Sequence, residues 1–270
     1  MTTYERFLDL HAGPDAFVMP NPWDGASAFL LKRAGFAALG TSSAALAFAL
    51  GRRDGAHAVS RTEAIEHAGL LQALTGLPVN GDLEDGFGPS PADCVTTVEA
   101  SIAAGLAGLG IEDTTADPAQ PLHSFDDAVA RVRAAAAKAR GRIVLTARTD
   151  NYLHDREDLE DTIRRLTAFA EAGADVLYAP GLPDMDAIRA IVRAVAPKPV
   201  NVLIGPDTGP VPLAELSAAG VRRVSIGGAL YRQAMTTVAR LGAALRAGDF
   251  TGLLGGVSHG ELNALSQDAL

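Results

Sequence analysis

The sequence predicts an α/β protein, and more specifically a (β/α)8 barrel of the TIM type. Eight short apolar segments alternate along the chain with longer segments that carry apolar residues at helical spacing. Strands of nearly continuous apolar character between helices are typical of a parallel sheet covered on both faces. The chain has 270 residues, which is close to the roughly 250 of a typical barrel closed by eight strand–helix units.

The predicted strands are short and leave room for a helix after each one. They cover residues 16–20, 36–41, 78–82, 106–112, 142–148, 175–179, 199–204 and 221–227. Helical periodicity is clear in four of the intervening segments, 60–74, 91–107, 126–139 and 158–174. Ser60 and Glu63 have the spacing of a capping box at the start of the first of these helices. An open dinucleotide-binding sheet is the alternative, but no G-x-G-x-x-G follows the first strand.

We expect one barrel domain, residues 1–245, followed by a helical tail, residues 246–270. No linker or change of composition interrupts the chain before about residue 245. The tail has no strand partner, so its apolar positions would form an exposed patch of the kind that marks an interface. We therefore expect it to pack on a neighbouring subunit of a homo-oligomer. Those positions are Leu253, Leu254, Val257, Leu262 and Leu265.

Composition argues against several classes of protein. The net charge of −9 disfavours a nucleic-acid partner, because nucleic-acid binders usually carry basic patches. No apolar segment approaches the roughly 20 residues of a membrane span, and the amino terminus lacks the layout of a signal peptide. The single cysteine, Cys94, has no internal disulfide partner, which suits a reducing compartment. We therefore expect a cytoplasmic protein that acts on a small molecule.

Acidic residues cluster where the third and fourth predicted strands end. In a barrel of this kind the chemistry lies at the carboxyl ends of the strands, and Asp82, Glu84 and Glu112 fall at two neighbouring ends. Carboxylates packed together repel each other unless protons or a cation neutralise them. Oxygen ligands without nearby cysteine or histidine suit Mg²⁺, or Mn²⁺, better than Zn²⁺. The sequence therefore predicts a metal site, although acidic residues here could instead stabilise the next helix amino terminus.

Other polar residues at the strand ends are candidates for binding an anionic substrate. Arg148 ends the fifth strand and could clamp a carboxylate or phosphate, or form an internal salt bridge with a rim acid. Ser42 and Ser43 follow the second strand, where hydroxyl and N–H groups could hold an anion. None of the three lysines lies at a strand end, which disfavours a Schiff-base aldolase. Two further candidates for substrate binding are Trp23 after the first strand and Asn201 within the seventh.

The chain resembles the isocitrate lyase / phosphoenolpyruvate mutase superfamily over roughly residues 16–245. The most specific marker is "DLEDGFG" at 82–88, similar to the family pattern D-x-D-x-G-Y-G, with Glu84 for the second Asp and Phe87 for Tyr. Further matches are "TSS" at 41–43, "LGRRD" at 50–54, "IED" at 111–113 and "TAR" at 146–148.

The resemblance implies an enzyme that binds Mg²⁺ and a small 2-oxo acid and passes through a pyruvate-enolate-like intermediate. By position, Asp82 would bind Mg²⁺ directly, and Glu84 and Glu112 would act largely through water. Ser42, Ser43 and Arg148 would hold the substrate carboxylate, and Asp54 would be the family acid on the loop after the second strand. The resemblance also implies tetramers in which a carboxyl-terminal helix swaps between subunits.

Two departures from the family pattern bear on the reaction. The K-[KR]-C-G-H loop, whose cysteine supplies the proton in the lyases, has no counterpart here. The segment "DTTADPAQPLHSF" after the fourth strand also lacks the lysine and asparagine of the phosphonate enzymes. We expect C–C bond cleavage or decarboxylation of an acid such as pyruvate, oxaloacetate or 2-oxoglutarate. The alternatives are a phosphonopyruvate-type mutase or hydrolase and a barrel that binds 2-oxo acids without turnover.

Overall fold

The structure is a (β/α)8 barrel, as predicted. It is a computed structural model that describes residues 1–55, 57–206, 208–209 and 211–267. Eight parallel strands form one sheet, and each of them falls within a predicted segment. They are β1 Phe17–Met19, β2 Leu39–Gly40, β3 Val79–Asp82, β4 Gly108–Glu112, β5 Val144–Arg148, β6 Val176–Tyr178, β7 Val200–Leu203 and β8 Arg223–Ser225.

The sheet runs in the order β1-β8-β7-β6-β5-β4-β3-β2, so β1 and β2 lie at its two edges. Backbone and side-chain bonds join these edges. The Gly40 N–H donates to the Pro20 carbonyl over 3.0 Å, and the Asn21 amide donates to the Thr41 carbonyl over 2.8 Å. A Cβ atom at Gly40 would lie 2.8 Å from the Met19 methyl carbon, so a larger residue at the seam would have to displace the Met19 side chain.

Helices surround the barrel and begin at well-formed caps. Ser60 and Glu63 make the predicted capping box, and Asp24, Ser124, Asp158 and Asp184 cap other helices with their side chains. The helices are α1 Thr3–Ala12, α2 Gly25–Arg33, α3 Ser43–Ala49, α4 Arg61–Thr75, α5 Pro91–Ala103, α6 Phe125–Ala139, α7 Leu159–Ala172, α8 Met185–Val195, α9 Leu213–Ala218, α10 Ala229–Arg246 and α11 His259–Gln267.

Helix α1 closes the amino-terminal end of the barrel. Its Phe7 is fully buried and packs with Met19, Val144 and Val176 from the strands. A Cβ atom at Gly108 would lie 2.6 Å from the Phe7 ring, so this glycine makes room for the plug. The cavity of the barrel therefore opens only toward the carboxyl ends of the strands.

The carboxyl-terminal segment leaves the barrel. In α10, Tyr231 is the buried residue, and Val238 on the same helix is 61% exposed. Helix α11 packs on α2 of the same chain, where Leu262 and Leu265 lie beside Phe29. Leu262 is nevertheless 39% exposed, so this contact covers it only in part. None of the helices described here is long and apolar enough to cross a membrane.

Candidate active site

The acidic segment after β3 forms a tight turn with unusual backbone geometry. Glu84 has φ of +47° and Phe87 has φ of +60°, a left-handed conformation that is uncommon outside glycine. The Thr97 hydroxyl donates to the Gly86 carbonyl over 2.7 Å, and the Arg61 guanidinium donates to the Phe87 carbonyl over 2.7 Å. Such backbone strain is concentrated at functional sites, and here the Glu84 carboxylate lies 3.9 Å from His57 Nε2 and lines a cavity at the rim.

Arg148, at the end of β5, is the centre of the rim. Its guanidinium donates to both carboxylate oxygens of Asp150, over 2.5 and 2.6 Å, and Nη1 lies 3.0 Å from Glu112 Oε2. The same nitrogen lies 3.8 Å from Asp82 Oδ1, beyond hydrogen-bonding distance. Arg148 therefore forms the internal salt bridges that the sequence allowed, and it also faces the cavity, where it could still bind an anion.

Asp113 fixes the loops that carry this cluster. It is buried and accepts from the Thr149 hydroxyl over 2.7 Å and from the Asp150 N–H over 2.9 Å. Arg165 of α7 donates to the same carboxylate over 3.0 Å. The segments after β4 and β5 are thus tied together directly behind Arg148, which lowers its freedom to move.

The predicted serine turn is the start of a helix. Ser42 is the amino-terminal cap of α3, and its hydroxyl accepts from the Ala45 N–H. The Ser43 N–H donates to Asp82 Oδ2 over 2.8 Å, and the Ser43 hydroxyl bonds to Asp54. In this state Ser43 organises the Asp82 and Asp54 carboxylates while Ser42 caps α3, and a bound anion would compete for the Ser43 N–H.

Three carboxylates of the rim, those of Glu84, Glu112 and Asp54, resist ionisation. Burial, opposed by His57 and reinforced by Asp82 and Asp54, raises the pKa of Glu84 to about 7. Burial raises the pKa of Glu112 well above its ordinary value, although Arg148 opposes the shift. Asp54 stands exposed at the cavity mouth, yet surrounding atoms and Asp82 raise the pKa of its carboxyl as well. A proton or a cation that neutralises these carboxylates would therefore stabilise the rim.

The interior of the barrel below the rim is polar. Asn201 is 2% exposed, and its amide donates to the Ser225 hydroxyl over 2.9 Å while its oxygen accepts from Arg223 over 2.8 Å. Arg148 lies over the Tyr178 ring, 5.3 Å from its centroid, and burial raises the pKa of Tyr178 to about 12. A cavity of about 210 Å³ runs from Ser43, Asp54 and Asp82 down to this layer.

The predicted residues do not all reach one place. Asp82, Asn201 and both serines line the first cavity, whereas Glu84 and Glu112 line an adjoining cavity of about 220 Å³. Arg148, Asp54 and Ser43 line both cavities. Trp23 lines neither of these two, and its ring packs edge-on against Tyr231 of α10 at 5.4 Å.

Of the three predicted metal ligands, Asp82 and Glu112 lie beside Arg148, and Glu84 lines the second cavity together with Glu112 and Arg148. Among the residues that the structure describes, no group of three or more histidine, cysteine, aspartate or glutamate side chains is arranged to hold a metal ion. The residues nevertheless fit Mg²⁺, because a magnesium site needs only one or two carboxylates besides water and substrate oxygens. Burial raises the pKa of Glu84 and of Glu112, and a cation beside either carboxylate would favour its ionised form. Asp82 would bind the ion directly, with Glu84 and Glu112 behind bound water.

Two functional candidates escaped the sequence reasoning. Arg223 lies at the start of β8, and Thr146 lies two residues before Arg148 in β5. Alternation along β8 places Arg223 and Ser225 on the same inward face, and that signal was available in the sequence. Apart from Asn201, the predicted residues lie at or after the strand ends, whereas Arg223 and Thr146 lie within strands.

A family model described as phosphoenolpyruvate phosphomutase matches residues 7–246. The chain belongs to this family. The match confirms the predicted membership of the isocitrate lyase / phosphoenolpyruvate mutase superfamily, and with it the prediction that the chain is an enzyme.

Several of the proteins that this member of the phosphoenolpyruvate phosphomutase family is similar to are named as lyases or decarboxylases. A lyase/mutase candidate from Burkholderia cenocepacia J2315 has 45% identity and a TM-score of 0.93, with 97% of this chain and 94% of that chain covered. Oxaloacetate acetylhydrolase in complex with its product oxalate has 27% identity and a TM-score of 0.89, with 99% and 96% covered. Oxaloacetate decarboxylase of Paraburkholderia xenovorans (strain LB400) is 32% identical over 204 residues, 72% of this chain and 66% of that protein.

Proposed function

We propose that the protein is a Mg²⁺-dependent enzyme that binds a small 2-oxo carboxylic acid and cleaves a C–C bond, or decarboxylates, through an enolate. The observation that carries the proposal is that Asp82 and Glu112 lie beside Arg148 at the open end of the barrel, with Glu84 in the adjoining cavity that Arg148 and Glu112 also line. The relatives named as oxaloacetate acetylhydrolase and oxaloacetate decarboxylase support a 2-oxo acid as substrate. When bound, Mg²⁺ supplies the positive charge that favours an enolate over its keto precursor; Mn²⁺ would serve the same role.

The chain's own residues then bind and orient the acid. The Arg148 guanidinium donates charged N–H groups to the substrate carboxylate, and the Ser42–Ser43 turn provides N–H and hydroxyl donors beside it. Asn201 contributes a neutral amide deeper in the cavity. Glu112 holds Arg148 in place from the side over 3.0 Å.

Asp54 is placed to move a proton at the mouth of the cavity. It lies on the loop between α3 and α4, and its pKa is raised by surrounding atoms and by Asp82. A carboxyl whose pKa is raised holds its proton more readily than an ordinary aspartate, which suits general acid–base catalysis. We assign Asp54 this role in the absence of the lyase cysteine.

A substrate screen tests the proposed function. Thermal unfolding is recorded with Mg²⁺ and a panel of 2-oxo acids, and mixtures are then analysed for carboxylate products. We expect Mg²⁺ and at least one 2-oxo acid together to raise the melting temperature, because a ligand that binds only the folded state stabilises it. Slow or absent cleavage of isocitrate and 2-methylisocitrate is expected as well. Turnover of phosphonopyruvate, followed by ³¹P NMR, would instead support the phosphonate alternative.

We also propose that the carboxyl-terminal segment binds a second copy of the chain. Helix α10 exposes apolar residues, and the segment that follows has Phe250 at 64% and Leu254 at 82% exposure. Contiguous apolar surface of this kind marks a protein interface. Truncation after Gly248 should lower the mass in solution, measured by light scattering, from that of a dimer or tetramer. An unchanged mass would refute the swap of this segment between subunits.

A further inference from the structure

The floor of the first cavity carries a buried positive charge with neutral partners. Arg223 is 1% exposed and lies in the layer below Arg148. Its Nε donates to Asn201 Oδ1 over 2.8 Å and its Nη2 donates to the Thr146 hydroxyl over 3.0 Å. Within the described ranges, no carboxylate lies at salt-bridge distance from this guanidinium, in contrast to Arg148 with its three acids.

The third partner of Arg223 is also uncharged. His11 Nδ1 lies 2.7 Å from the Phe7 carbonyl oxygen, so Nδ1 carries the proton and Nε2 accepts from Arg223 Nη1 over 3.4 Å. Burial, together with Arg223, lowers the pKa of His11 to about 3. A buried charge without a counter-ion is costly, so an unpaired guanidinium that lines a cavity is a binding feature rather than a source of stability.

A second, independent observation concerns Asn80 on the opposite side of the same layer. Its side chain is 6% exposed, and its oxygen has no hydrogen-bond partner. Its amide nitrogen makes one long contact, 3.4 Å, to the Gly81 carbonyl. Because this long contact is the side chain's one hydrogen bond among the residues that the structure describes, the amide is held weakly. It lines the cavity, so its nitrogen is free to turn toward a ligand.

The floor also has space. A Cβ atom at Gly110 would lie 3.8 Å from the Gly81 carbonyl oxygen, an ordinary van der Waals contact, so a methyl group fits at this position of β4 beside Asn80 without displacing its neighbours. Thr146 and Arg148 face the same cavity two residues apart on β5, which places the floor about 6.6 Å below the rim along the strand. A ligand with an acidic group at each end could therefore contact both levels.

We propose that this floor is a second anion subsite, built around Arg223, that takes the distal carboxylate of a short 2-oxo dicarboxylic acid. The inference rests on the proposed function, since the rim must hold the 2-oxo acid end of the same molecule. The distal carboxylate supplies the counter-ion that Arg223 lacks, and the neutral donors of the floor complete its hydrogen bonds. Those donors are Asn80, Thr146 and Asn201.

Calorimetric titration with Mg²⁺ present tests the subsite through pairs of ligands matched in shape. Oxaloacetate is compared with 4-methyl-2-oxopentanoate, and 2-oxoglutarate with 5-methyl-2-oxohexanoate, so that each pair differs by the distal charge. The wild type should prefer at least one dicarboxylate by about tenfold or more, as expected for a charge-assisted contact. Arg223→Met should reduce that preference to about threefold or less, and Arg222→Met, on the outward face, serves as the matched control.

A second variant covers the case in which Arg223→Met fails to fold. Asn201→Asp keeps the shape of the side chain and places a carboxylate 2.8 Å from Arg223 Nε, so it should neutralise the subsite and abolish the preference. A wild type that binds pyruvate with Mg²⁺ but shows no preference, or a preference that survives in both variants, overturns the subsite alone. A wild type that binds no 2-oxo acid overturns the proposed function together with the subsite.

Discussion

The rim and the floor of the barrel cavity each centre on one arginine, half-buried at the rim and fully buried at the floor, and the charges of the two are compensated in opposite ways. At the rim, Arg148 is shared by Asp82, Glu112 and Asp150, so acids outnumber the cation. At the floor, Arg223 is bonded to Asn201, Thr146 and His11, none of which is charged. The rim therefore favours an added cation and the floor an added anion. A molecule that brings a metal to one end and a carboxylate to the other satisfies both.

Replacement of each arginine by methionine separates the two levels most strongly. Arg148→Met leaves Glu112 and Asp150 buried without their cation, and breaking such a pair costs about 3 kcal/mol or more of unfolding free energy. Arg223→Met removes an unpaired charge and should cost much less. Urea unfolding at pH 8 with EDTA measures both variants. Equal losses of unfolding free energy in the two variants would mean that both arginines contribute equally to stability, contrary to this comparison.

Asp82→Asn tests the cation end of the comparison. The substitution keeps the shape and an acceptor for the Ser43 N–H but removes the charge that would bind Mg²⁺. The Mg²⁺-dependent affinity for pyruvate should fall about a hundredfold, roughly 2.7 kcal/mol. Asp186→Asn, at a side chain that is 92% exposed, is the matched control. Wild-type affinity in Asp82→Asn, measured by calorimetry, would place the metal elsewhere.

The pH dependence of stability tests the excess of acid at the rim. The pKa of Glu84 is about 7 in the folded protein, above its ordinary value of 4.5, so the folded state holds this proton more tightly. The stability that results is fully present below pH 4.5 and is lost as the pH rises through about 7, by up to about 3 kcal/mol. Glu84→Gln should remove this slope in EDTA, and Glu171→Gln, at an exposed site, should retain it. Parallel curves for wild type and Glu84→Gln would contradict the assignment.

Alanine substitutions at the two glycines of β4 test where a side chain fits at the floor and where it would clash. A Cβ atom at Gly108 would lie 2.6 Å from the Phe7 ring, whereas one at Gly110 meets nothing closer than 3.8 Å. Gly108→Ala should lower the melting temperature, with an overpacking cost of about 1–3 kcal/mol, and Gly110→Ala should change it little. Similar melting temperatures for the two variants would mean that the floor is not open as described.

Periodicity and strand-end position were sufficient to predict the barrel and much of the rim. All eight strands fall within the predicted segments because buried parallel strands need short apolar sequences between helices. Local patterns do not show which side chains bond across the barrel, so the sharing of Arg148 among three acids and the isolation of Arg223 needed the folded chain. The left-handed backbone at Glu84 was equally hidden, because an ordinary side chain there gives no glycine signal.

Linkage between metal and substrate tests the central claim most directly. If Mg²⁺ and a 2-oxo acid share the rim, each must raise the affinity for the other by the same factor. Wild-type protein is titrated with pyruvate in EDTA and in saturating Mg²⁺, and with Mg²⁺ in the absence and presence of pyruvate. The structure predicts a rise of at least about tenfold, or 1.4 kcal/mol, equal in the two directions. Pyruvate affinity that is the same in EDTA and in Mg²⁺ would contradict a metal-assisted 2-oxo acid site.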